Sequence, residues 1–228
     1  MKRFFLCLSL VFYFSAKAQR DTISIRARLN EDQKTISVEQ VLIYHNPHQK
    51  AIKQIKLLNW VTAYQNRKTH LLKRKVEDRK KDLYFAKDEQ LGKLESLQYS
   101  HGNNFSEVLN KNQENIYISL SESLNPGERI KISLNYQIRL PDARFTGYGI
   151  NANDILLKYF FLVPETFENE NQSNSFYRDT EETGNAGSFW TVDFTLPDSW
   201  KCYSNLARHS ESEFSGISIN DPEFQLSK

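Results

Sequence analysis

The sequence predicts a mainly β fold, an antiparallel β-sandwich with one short helical excursion. Three observations predict it. Apolar residues recur at every second position over most of the chain, as in Ile23, Ile25, Ala27 and Leu29. These runs are bounded by short polar or Pro/Gly turns such as "EDQK" and "NPGE". Only one stretch, "KTHLLKRKVEDRKKDLYFAKDEQLGKLESLQYS", breaks the period.

The elements follow in order. Ile23 to Leu29 and Ile36 to Tyr44 alternate on either side of "EDQK", which predicts a hairpin closed by Asn46-Pro47. Ile52, Ile55, Leu57 and Leu58, leading into Trp60, predict a third strand. Thr69 is an acceptable helix cap, and Leu72, Val76 and Leu83 suggest one apolar stripe, so a short helix is expected over about 69–80. Acids interleave its basic run and no stacking aromatics accompany it, which describes a solvated helix face rather than a nucleic-acid surface. Ile116, Ile118 and Leu120, then the turn at Pro126-Gly127, then Ile130 to Ile138 predict a second hairpin. Gly147 and Gly149 allow a bend before the apolar run Ile155 to Phe161, which has the composition of a strand covered on both faces. A polar, acidic segment at about 168–188 predicts a long exposed loop. Phe189 to Leu196 and Cys202 to Leu206 resume the strand pattern.

The amino terminus carries a different signal. Lys2 and Arg3 precede an apolar run from Phe4 to Phe14, and Ala16 and Ala18 give a small-x-small cleavage pattern. Residues 1–18 therefore predict an export leader, too short in its apolar part for the roughly 20 residues that span a bilayer. The remainder, 19–228, is expected to be a single periplasmic or secreted domain without a transmembrane segment. Removing 18 of 228 residues leaves 210, with 27 basic against 28 acidic side chains and one cysteine, Cys202. No internal disulfide can form, so the core must hold the fold. The near-zero charge gives no bias toward nucleic acid or anionic lipid.

Chemistry is sparse. No His-Glu-x-x-His, Gly-x-Ser-x-Gly, phosphate-binding glycine loop or cysteine pair occurs after the leader. His45 and His48 flank an Asn-Pro turn with no third metal ligand near them in sequence. Asp142, Glu165 and Glu168 lack an identifiable acid-base partner, and Cys202 reads as a packed thiol. No catalytic, cofactor-binding or metal residue is assigned.

The succession "ISIRARLNEDQKTISVEQVLIYHNP", "IKLLNWVTAYQNRKTHLLKR", "LYFAK", "LNPGERIKISLNYQIRLPDARFTGYG" and "FTLPDSWKCYSNL" resembles the amino-terminal domain of exported bacterial zinc metallopeptidases of the aminopeptidase N type, the M1 gluzincins. The resemblance runs from about Asp21 to Leu206. It implies a saddle-like β-sandwich lying against a catalytic domain that follows it, with Ile155 to Phe161 near the junction. The zinc, the His-Glu-x-x-His motif, the Gly-x-Met-Glu-Asn loop and the peptide substrates would belong to that absent domain. The chain reaches Lys228 with neither motif and is expected to be inactive alone. The sequence departs from the family at "FLVPETFENENQ", where members commonly carry aromatic-Pro-x-x-Asp-Glu, and no substrate-anchoring residue can be carried over. A second reading is a free-standing periplasmic or surface β-sandwich that binds protein or glycan through Trp60, Tyr64, Tyr148 and Trp190.

Overall fold

The computed structural model describes residues 20–100, 106–107, 113–165, 187–219 and 221–228. The leader and most of the polar loop, including Glu168, lie outside the described residues.

Thr22–Asn30 (β1) and Thr35–His45 (β2) form the first hairpin, in register from Thr22 opposite Ile43 to Asn30 opposite Thr35. Ile52–Leu58 (β3) runs into a 3-10 turn at Trp60–Tyr64, and His70–Glu77 is the one α-helix among the described residues (α1). Thr69 caps α1 by accepting the Leu72 amide at 3.3 Å. The expected stripe is only partly realised: Leu71 and Leu72 are buried, Val76 is exposed, and Leu83 packs into the core beyond the helix end. Then follow Lys93–Ser100 (β4), Ser106–Glu107 (β5), Asn115–Leu124 (β6), Arg129–Arg139 (β7), Gly149–Asn151 (β8), Asp154–Leu157 (β9), Val163–Pro164 (β10), Ser188–Thr195 (β11), Lys201–Ser204 (β12), Ala207–Arg208 (β13), Glu213–Ser218 (β14) and Phe224–Ser227 (β15).

Three sheets result. A large sheet has the order β13-β14-β11-β1-β2-β7-β4-β5, and two smaller ones run β10-β3-β6 and β12-β15-β9-β8. The apolar positions of all three meet in one core, so the fold is a mainly β, antiparallel-rich sandwich with one helix. One ladder is parallel: β1 lies between β2 and β11, with Thr22 opposite Phe189.

The second hairpin is corrected by the structure. The two strands predicted to pair do not touch edge to edge: β6 pairs with β3 in a small sheet, whereas β7 pairs with β2 and β4 in the large one. The connection at Asn125–Glu128 is an arch that steps across the core. Asn46, buried at the end of β2, holds it. Its backbone amide donates to Glu128 O at 3.0 Å, its carbonyl accepts from Gly127 N at 3.1 Å, and its side-chain amide donates to Leu124 O at 2.9 Å.

The apolar run is corrected as well. The strand ends at Leu157 because Tyr159 takes φ +65°, in the left-handed region that bulky residues avoid. Tyr159 to Leu162 continue as a buried irregular strap. Its backbone is satisfied by the sheet opposite: Gln40 Nε2 donates to Leu162 O at 2.6 Å, and the Leu162 amide donates to the Tyr136 hydroxyl at 3.3 Å. The same hydroxyl donates to Gln40 Oε1 at 2.6 Å, which closes the network. Phe160 packs edge-on to Tyr64, and Phe161 meets Trp190 and Phe224, so the chain itself covers both phenylalanines. The glycine bend behaves as read: Gly149 has φ +123°, and a Cβ there would lie 2.2 Å from Pro141 O.

Candidate functional site

Each polar residue weighed in the sequence that lies among the described residues has a local structural task. Asp142 accepts the Arg144 amide at 3.0 Å and pairs with its guanidinium at 2.9 Å, which starts the turn Ala143–Phe145. Glu165 pairs with Lys56 across β10 and β3. The His45 amide donates to Asp21 Oδ1 at 2.8 Å and the His48 amide to Asn46 Oδ1 at 3.0 Å, so this loop organises the end of β2. Burial pushes the Cys202 thiol up to about 12, which makes it a packed group and not a nucleophile at neutral pH. Among the described residues, no three His, Cys, Asp or Glu side chains are grouped to hold a metal ion. None of the weighed residues that the structure describes come together in one site.

The four aromatics also separate. Trp60, Tyr64 and Trp190 are core side chains, and only Tyr148 reaches the surface in part. What they build is a cluster around the strained strap. The Tyr159 ring lies 5.8 Å from Trp60 and 6.0 Å from Tyr148. The Lys158 ammonium stands 5.2 Å from the Tyr159 ring and 5.7 Å from that of Tyr148, with Glu223 at 3.8 Å. A left-handed tyrosine costs about 1 to 3 kcal/mol and persists only where its surroundings over-determine it. Here the aromatic contacts and the Gln40-Tyr136-Leu162 network do so. The result places a cationic and aromatic pair, Lys158 and Tyr148, on the flank of the four-stranded sheet. The only sequence signal for it is the single lysine inside the apolar run.

A second surface is the solvent face of the large sheet. Arg26, Glu39, Gln98, Asn135, Gln137 and Asp193 line a polar groove of about 720 Å3 across β1, β2, β4, β7 and β11. Arg26 and Glu39 stand 4.0 Å apart and are both highly exposed, so this pair contributes little to stability. The groove has hydrogen-bonding capacity and mixed charge. It lacks the convergent buried groups that catalysis requires.

Among solved structures, the chain is similar to a two-domain M1 zinc metallopeptidase, a mutant form bound to L-tryptophan, with a TM-score of 0.50 and 11% identity over 91% of this chain and 42% of that one. A mutant of an M1 zinc metallopeptidase from Deinococcus radiodurans bound to a Tyr-Ser-Ala substrate gives a TM-score of 0.49 at 11% identity, with the same coverage. At this identity the likeness is one of fold. The chain spans 42% of the length of these proteins, and it shares its fold with part of the two-domain M1 metallopeptidase. No protein-family model matches the sequence, and no curated protein does so either.

Proposed function

We propose that this chain is the non-catalytic amino-terminal β-domain of an exported M1-type zinc metallopeptidase, in which zinc and peptide-bond hydrolysis belong to a separate catalytic domain. The observation that carries this reading is the fold likeness, which takes in nearly all of this chain and less than half of its two-domain counterpart. The motif order from Asp21 to Leu206 supports it from the sequence side. The leader at residues 1–18 supports export.

In this reading the domain is a support. Phe160 and Phe161 are used up in the core, so contact with a catalytic neighbour falls to the flank of the four-stranded sheet. Tyr148, Lys158 and the exposed Tyr203 are available there. The decisive test is the reading frame beyond Lys228: an in-frame His-Glu-x-x-His is expected, and a stop codon there would sink the proposal. The chain alone should bind no stoichiometric zinc and hydrolyse no aminoacyl substrate. Metal analysis giving one tightly held zinc per chain would overturn the assignment of zinc elsewhere.

A further inference from the structure

The outer face of the large sheet is not uniform. At the end where β1 enters, cross-strand register lines up Ile217, Phe189, Thr22, Ile43 and Lys131 on adjacent strands. Their apolar members are open to solvent: Ile217 is 55% exposed, Phe189 40% and Ile43 36%. Beyond this row lie Ile219, 75% exposed, then Arg20, His45 and Arg129, of which both arginines are exposed. No acidic side chain belongs to either row. Asp21 points inward and is buried, and Glu128 is held by Asn125 at 2.7 Å. Two or three rows further along the same face the character changes to the mixed charges of Arg26, Glu39, Asp193 and Glu213.

Four exposed apolar side chains beside three cations do not follow from strand packing, because outward positions on a free-standing sheet are ordinarily polar. Clustered apolar groups ringed by basic ones match a surface that offers anionic headgroups above hydrocarbon. We propose that the rim formed by Ile43, Phe189, Ile217, Ile219, Arg20, Arg129 and Lys131 seats the domain on an anionic membrane surface. This inference does not depend on the metallopeptidase reading.

Hydroxyl-radical footprinting of the full chain tests it side chain by side chain. The full chain is mixed with vesicles of about one-third phosphatidylglycerol in phosphatidylcholine, and oxidation of Phe189, Ile217 and Ile219 is expected to fall by at least about fivefold. Tyr117 and Tyr203, equally open elsewhere, should be unchanged. Raising the salt should restore oxidation, and vesicles of phosphatidylcholine alone should protect little. The double variant Ile217→Asp, Lys131→Glu should lose the protection at Phe189 while unchanged oxidation at Tyr203 reports an intact fold. Partition through the leader with the rim unprotected would overturn the proposal. So would equal protection on neutral vesicles, and so would protection that appears without vesicles and grows with protein concentration, which assigns the rim to a second copy of the chain.

Discussion

The pairs β1/β2 and β6/β7 carry the same sequence pattern and take different topologies. Both alternate apolar and polar residues, and both are joined by four polar or turn-forming residues. The first closes as a hairpin, with the Lys34 amide bonded to Glu31 O at 3.1 Å and the ladder continuing from Asn30 and Thr35. The second turn is also closed locally, Glu128 N to Asn125 O at 3.1 Å, yet its strands part into different sheets. The difference lies in Asn46, which occupies the mouth of the second turn and takes the hydrogen bonds a ladder would have used. Period two tells which face of a strand is buried. It does not tell which strand lies alongside.

The arch opens an interior between sheets, and the largest expected effect probes it. Phe160→Ala and Phe161→Ala should each cost about 3 to 5 kcal/mol in denaturant titration, since both rings fill that space. Tolerance of either substitution would mean that the strap is not between the sheets. Next comes the pair of asparagines. Asn46→Ala should cost about 3 kcal/mol by stripping buried partners from Leu124 and Lys50, whereas Asn30→Ala, which loses one exposed bond to the Gln33 amide, should cost under about 1 kcal/mol. Equal costs would erase the distinction between arch and hairpin.

The smallest effect concerns the residue that ties the two together. Asp21 receives the His45 amide, one position before the arch anchor, and burial raises its carboxyl from 3.8 to about 6. A raised folded-state value means that the folded chain holds the proton more tightly than the unfolded chain. This group therefore favours folding most below about pH 4, and its contribution falls as pH rises toward 6. Asp21→Asn should remove that slope and raise stability at pH 7 by about 2 kcal/mol, read as a higher melting midpoint. A slope of opposite sign would refute it.

Much of the fold was legible because its strands bury one face each, from Ile23 through Ile138. β4 was not. Its ladder slips between Leu94 and Ser96, where Glu95 turns toward Arg139, so Leu94 and Leu97 fall three apart and the period breaks. The end of β9 was hidden for a related reason: an apolar run looks the same as strand or as buried strap, and only the backbone of Tyr159 separates them. The sequence was informative about chemistry in a different way. His45, Asp142, Glu165 and Cys202 are each accounted for by local backbone or packing tasks, and the cluster at Lys158 and Tyr148 depends on contacts between residues nearly a hundred positions apart, such as Trp60 and Tyr159.

The parallel contact of β1 with β11 fixes an order of events in time. The first strand of the domain is completed on one edge within a few residues, by β2, and on the other only after Ser188–Thr195 has left the ribosome. Until then the hairpin presents an open, apolar-backed edge, and closing a loop of that length is slow compared with forming local turns. A chain synthesised amino terminus first therefore carries that edge unpaired through most of its synthesis, the interval in which it is most open to pairing with another molecule.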